Sequence, residues 1–345
     1  MTPLRILLYA NFERGSAQRY FYNTDHKLYH GLVRAGHLVL PFSERDTARD
    51  LSPFGTKRFG LRKMFDRAVE TAAHFRPHLI LIGHADTAAP ALFQRFREAA
   101  PGVRLARFCV DSLQHHEGPI ASFERHLPHV DIGFLTTGDA AARAAMPGPV
   151  AYLPHAVDPA IETRRNHEVA AKDLPADVVF LGTGRAGRDA QLAYLEGAVP
   201  PDLRFAIGGR SRDGVQHRSL AFLERLSAGA ASPCLPLDDR IAMPRLYVSN
   251  RLTQVIGNGL LAYTHAPADF ASLFDEGVVE FAAREDLAEA MARFWRDDDE
   301  RRRRAEIAWR IGHEHFRTEQ VAAYVVATAM QRKLPAPVRW PADIL

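Results

Sequence analysis

Short apolar runs alternate with helically spaced apolar positions along the first 155 residues. Ile6-Leu7-Leu8-Tyr9-Ala10 opens the series and ends near Asn11, the pattern of a strand buried on both faces. Residues 25–35 then carry Leu28, Leu32 and Val33 on one helical face, with Gly36 as the stop. Strands are predicted at 37–42, 77–84, 104–110 and 131–136, and helices at 64–75 and 89–99. A strand–helix rhythm of this kind predicts a parallel sheet covered by helices on both faces.

The rhythm restarts after residue 150. Residues 150–155 read as a short strand, and the polar stretch that follows, up to about 175, reads as a linker. Asp177-Val178-Val179-Phe180-Leu181-Gly182 begins a second series, with a helix at about 189–197 and a strand at 203–209. Leu260-Leu261-Ala262-Tyr263 is a further strand, and a strongly charged helical tail runs from 286 to about 330. The expected division is 1–155 for one Rossmann-like domain, 156–175 for the linker and 176–318 for a second domain. Residues 319–345 supply a C-terminal helix and tail. At 345 residues the chain is long enough for two such cores.

Composition narrows the class. Hydrophobic residues make up 47% and charged residues 25%, as in an ordinary globular protein. The net charge of +3 suits a phosphate-bearing ligand and is too small to point to nucleic acid. Cys109 and Cys234 stand far apart without CxxC spacing, so a disulfide framework is not expected and a cytoplasmic location is. No apolar run approaches the ~18 residues of a membrane span, which leaves peripheral contact with a membrane as the one membrane reading.

Two Gly/Arg clusters follow predicted strands. Gly182-Thr183-Gly184-Arg185-Ala186-Gly187-Arg188 leads into a helix, where glycines admit close approach and the helix N-terminus favours a phosphate. Arg185 and Arg188 would add charged hydrogen bonds. The series departs from GxGxxG at Arg188, and an ordinary strand-to-helix turn is the alternative. Gly208-Gly209-Arg210-Ser211-Arg212 ends the next strand, where open parallel sheets bind ligands. A third segment, Ser249-Asn250-Arg251-Leu252-Thr253-Gln254, would set Arg251 and Gln254 on one helical face before Gly257 and Gly259.

This third segment resembles the donor-binding helix of retaining GT-B glycosyltransferases, and especially of the CgeB-like group of the glycosyltransferase 4 clan. Leu273-Phe274-Asp275-Glu276-Gly277 with Val279-Glu280-Phe281 is similar to a following element of that group. So are Asp286-Leu287, Asp297-Asp298, Glu300-Arg301 and Gly312-His313-Glu314-His315-Phe316 to its C-terminal helices. Leu153-Pro154-His155-Ala156-Val157-Asp158-Pro159 resembles its interdomain crossing, and Phe180-Leu181-Gly182-Thr183 the opening of its nucleotide domain. The likeness spans residues 150–325. In that clan two glutamates seven residues apart contact the donor; Leu246 and Gln254 occupy the aligned positions.

The resemblance implies an α/β protein of the GT-B fold, two Rossmann-like lobes with parallel sheets facing across a cleft and a C-terminal helix returning to the first lobe. It implies a metal-independent glycosyltransferase with no separate cofactor, its donor a nucleotide diphosphate sugar, UDP-sugar first. The acceptor would be a glycan, a lipid-linked glycan or a protein, as in surface polysaccharide biosynthesis. Gly182, Thr183, Arg185, Arg188, Gly209, Arg210, Asn250, Arg251 and Gln254 are the expected donor-binding residues. His84 and Asp111, each after a buried strand, are the preferred catalytic pair, ahead of Asp86, His115 and His116. No HxxxH or HExxH spacing suggests a metal. Arg301-Arg302-Arg303-Arg304 beside four acidic residues reads as a solvated helix face. A GT-B sugar-nucleotide epimerase and a non-catalytic nucleotide- or sugar-binding protein stand as alternatives.

Overall fold

Six strands form an all-parallel sheet in the order β2-β1-β3-β4-β5-β6. They are β1 (Arg5–Ala10), β2 (Leu38–Ser43), β3 (Leu79–Ile82), β4 (Arg104–Cys109), β5 (Ile132–Leu135) and β6 (Val150–Tyr152). The computed structural model describes residues 2–13, 17, 19–83, 85, 87–113, 116–209, 217–236 and 243–345. The strands inside the sheet are almost wholly buried, which is why β1, β3 and β5 read as mostly apolar runs; β4 carries the buried Arg107, and β2, at the edge, is half open. Helices α1 (Thr24–Arg34), α2 (Glu44–Asp50), α3 (Lys57–Phe75), α4 (Pro90–Ala99), α5 (Ala121–His126) and α6 (Ala140–Ala144) connect them.

A second parallel sheet has the order β11-β10-β9-β7-β8. Its strands are β7 (Ala176–Leu181), β8 (Phe205–Gly208), β9 (Gly229–Pro233), β10 (Leu261–His265) and β11 (Val278–Phe281). Helices α7 (Ala186–Ala198), α8 (Ser219–Leu226), α9 (Arg251–Gly257), α10 (Ala271–Phe274), α11 (Arg284–Arg296) and α12 (Asp298–His315) belong to this half. The last helix, α13 (Thr318–Ala329), packs on α1 in the first. The chain thus divides into Met1–Ala156 with Thr318–Leu345, and Val157–Arg317. This is the expected fold class.

Within the first unit, Tyr324 of α13 donates a 2.9 Å hydrogen bond to the Tyr152 carbonyl and packs edge-on against Phe134. The helical tail is built of α11, α12 and α13. Asp297 caps α12 through Glu300 N, and the apolar α13 begins after Arg317.

The stretch after residue 156, expected as a linker, is packed into the second unit. Asn166 donates to the carbonyls of Ser227 and Gly229 at 2.7 and 2.8 Å. Arg301 is buried, pairs with Asp298 at 2.7 Å and donates to Val169 O at 2.7 Å. Arg302 donates to His167 O, Arg303 pairs with Glu276, and Arg304 with Glu300. Arg301 is thus an internal tie, while Arg302, Arg303 and Arg304 keep solvent contact as expected of a charged helix face.

Candidate functional site

The carboxyl ends of β7 and β8 bring the two Gly/Arg loops together. Gly209 has φ +114°, and a Cβ there would fall 2.2 Å from the Gly182 carbonyl oxygen. Only glycine lets these backbones meet so closely. A Cβ on Gly182 would in turn lie 2.7 Å from an Arg251 guanidinium nitrogen.

Two arginines converge on this point. Arg251, at the start of α9, donates from Nη2 to Leu181 O at 2.7 Å, its guanidinium carbon 4.5 Å from the Phe180 ring centroid. Arg188, in the first turn of α7, donates to Thr183 O at 3.1 Å and Leu235 O at 3.3 Å, and stands 5.6 Å from the same ring. Both hold their heads by carbonyls and an aromatic face, which orient a cation without neutralising it.

Arg188 is only 6% exposed. Burial pushes its pKa down to about 9, with the Arg251 charge adding to the shift. Burial lowers Arg251 as well. Asp189 opposes the shift on Arg188, and no ion pair joins the two. Cys234 is buried beside both guanidiniums, but burial raises its thiol to about 11, so the sulfur brings no negative charge. Each arginine keeps an Nε–H without a hydrogen-bond partner among the described residues. Two desolvated cations with spare donors and no ion-paired carboxylate have the chemistry that a multivalent anion would satisfy.

Gln254, one helical turn beyond Arg251, is 4% exposed. Asn250 accepts a 3.1 Å hydrogen bond from Thr253. Leu246 is fully buried with its N–H on Ala268 O, so the position aligned with the clan's first glutamate is a core leucine. Thr183 joins the site through its carbonyl, while Arg185 is exposed and precedes α7 without capping it. Phe180, Cys234 and Leu235 complete the site and were not expected. Phe180 reads in sequence as one more core strand residue.

In the first unit, Asp111 lies two residues past β4 and is half-buried. His84, Asp86, His115, Arg210, Ser211 and Arg212 lie outside the described residues. A buried polar cluster escaped the sequence reading. Glu44 is fully buried and accepts hydrogen bonds from Tyr9, at 3.5 Å, and from Thr87. Burial and the Glu44 charge raise the Tyr9 pKa, so its hydroxyl stays protonated. Among the described residues no three His, Cys, Asp or Glu side chains are grouped to hold a metal.

Residues 191–329 match the family model described as glycosyl transferase-like. This segment is similar to a glycosyltransferase domain. The matched segment contains α9 and most of α7, and Arg188 stands just before its start. By sequence, no curated protein matches the chain. By structure, a sucrose-phosphate synthase from Thermosynechococcus elongatus superposes with a TM-score of 0.65 at 13% identity, over 95% of this chain and 98% of that one. The Anabaena protein HepE, in complex with UDP and glucose, gives 0.60 at 13% over 95% and 100%. An alpha-glucosyltransferase in complex with UDP-glucose and DNA gives 0.62 at 12% over 95% and 100%. At such identities the likeness is one of fold, GT-B throughout. The domain and the fold together make the protein an enzyme of the glycosyltransferase kind, as expected. No helix among the described residues is long and apolar enough to cross a membrane.

Proposed function

We propose that the second unit binds a nucleoside diphosphate sugar and that the enzyme moves the sugar to an acceptor hydroxyl, without a metal. The carrying observation is the Arg188–Arg251 pair, two buried cations oriented by carbonyls and Phe180 and matched by no carboxylate. In transfer, the bond from the anomeric carbon to the β-phosphate oxygen breaks, and a bond to the acceptor oxygen forms. Charge then grows on the departing diphosphate, where fixed donors in a dry site stabilise the transition state most. The paired guanidiniums do there what a divalent cation does in metal-dependent transferases.

Uracil is the favoured base, because two of the structurally similar proteins hold UDP or UDP-glucose. Asn250 and Gln254 stand next in line for the nucleoside. The first unit would take the acceptor, a glycan, lipid-linked glycan or protein, with Asp111 and His84 as base candidates. Membership of the CgeB-like group rests on the motifs between Asn250 and Phe316. Two buried, free cysteines suit a cytoplasmic enzyme.

A thermal-shift screen of UDP, GDP, ADP, dTDP and CMP, followed by donor hydrolysis with the preferred base, tests this reading. Stabilisation by a diphosphate, and slow release of sugar from its nucleotide sugar, are expected in EDTA. No shift with any diphosphate would refute it.

A further inference from the structure

Residues 51–65 contain Lys57, Arg58, Arg62 and Lys63 and neither Asp nor Glu. They form the turn before α3 and its first two turns, and every position from 53 to 59 is exposed. Among the exposed large apolar side chains of the described residues, Phe54 at 72% and Phe59 at 59% are the aromatic ones. Their rings meet edge to face with centroids 5.4 Å apart, and the Arg58 guanidinium lies 6.0 Å from the Phe59 ring.

No carboxylate among the described residues of the unit compensates this arrangement. Further along α3 the acidic residues are engaged elsewhere, Asp66 with Arg95 at 2.7 Å and Glu70 with Arg67 at 3.3 Å. None of Lys57, Arg58, Arg62 and Lys63 has a carboxylate partner among the described residues. Lys57 and Arg58 stand in the first turn, which has no acidic residue, and Thr56 makes no side-chain cap. Cations at that end oppose the helix dipole. Two phenyl rings held in water beside them add a second local cost.

We propose that residues 53–63 dock on an anionic lipid bilayer surface. Phe54 and Phe59 enter the boundary between headgroups and acyl chains, and the four cations sit at the phosphate layer. An anionic bilayer answers both features, offering charge above and an apolar layer beneath. A nucleic-acid duplex answers the cations but leaves both rings wet unless bases unstack. The proposal goes beyond sugar transfer and does not depend on it.

The test uses the full chain and sucrose-loaded vesicles, of phosphatidylcholine alone or with phosphatidylglycerol. The protein is expected to sediment with the phosphatidylglycerol vesicles and to stay in solution with the others. Phe54→Ser with Phe59→Ser should lower the partition by at least about 10-fold, and so should neutralising the four cations to glutamine. Thermal midpoints should not fall, because these side chains are exposed and their removal relieves local costs. Phe59→Trp should shift its emission to the blue on anionic vesicles alone. Absence of sedimentation, equal sedimentation with both vesicles, or undiminished binding by the serine variant would overturn the proposal. So would binding to a DNA duplex, lost in the glutamine variant, in place of vesicle binding.

Discussion

Arg188 and Arg251 point their guanidinium groups at one phenyl ring, that of Phe180, from two different helices. Like charges held together in a buried place lower each other's basicity, and Arg188 shows that effect beside its desolvation. Hydrogen bonds to carbonyls and the Phe180 ring hold the pair in place without cancelling its charge, the arrangement a bound anion would relieve.

Removing either cation should therefore separate binding from stability. Arg188→Met and Arg251→Met should each weaken UDP by ~10-fold or more, about 1.5–3 kcal/mol for a lost charged hydrogen bond. Arg188→Met should leave the unliganded protein as stable as before or more so, since it removes a buried like charge. Calorimetric titration with thermal melts reads both. Unchanged affinity in folded variants would withdraw these arginines from the site.

Gly209 tests the backbone contact that shapes the same place. Gly209→Ala forces a Cβ into the Gly182 carbonyl at a left-handed φ of +114°. It should cost about 2–4 kcal/mol of stability and weaken the nucleotide together with it. A melting temperature equal to wild type would show that the two loops yield freely.

Much of this was legible from the chain, for reasons that differ by element. β1 and β3 are buried on both faces and so show as apolar runs, while β4 is interrupted by the buried Arg107. β9 is Gly-Ala-Ala-Ser-Pro, small residues between β7 and β10, and carries no period at all. The first turns of α3 were hidden because Phe59 faces water and the polar residues around it are basic. Gly182, Arg188, Gly209 and Arg251 were each visible as motif residues. Their meeting at Phe180 was not, because spacing along a chain says nothing of which side chains share a ring. The packing of residues 157–175 was equally hidden, since polar side chains that bind carbonyls look like those that bind water.

Acid should destabilise the first unit through His126. This fully buried imidazole is held at a pKa of about 3 by burial and the nearby Arg107 charge, against an ordinary value of 6.5. The unfolded chain takes up the proton first, so the contribution is complete above pH 6.5 and is lost as pH falls from 6.5 towards 3. Between pH 7 and pH 5 wild type should lose roughly 2 kcal/mol more than His126→Leu. Urea unfolding at the two pH values measures the difference. Parallel losses would mean that other groups carry the acid sensitivity.

Gln254 offers the sharpest test of the donor reading, because the clan that this segment resembles carries glutamate at the aligned position. The side chain lies one turn from Arg251 and is almost wholly buried. If it holds the donor ribose, Gln254→Glu should keep UDP affinity, since a carboxylate accepts from both hydroxyls and meets an excess of positive charge nearby. Gln254→Leu should leave ribose hydroxyls unpaired in a dry site, at a cost of about 1–3 kcal/mol in affinity. Leucine in place of a buried amide should not lower the stability of the free protein, so a loss of binding cannot be ascribed to unfolding. Titration of both variants with UDP decides the matter. Equal affinities for wild type and Gln254→Leu would mean that the amide is only a packed helix residue, and the nucleoside would then have to be sought at Asn250.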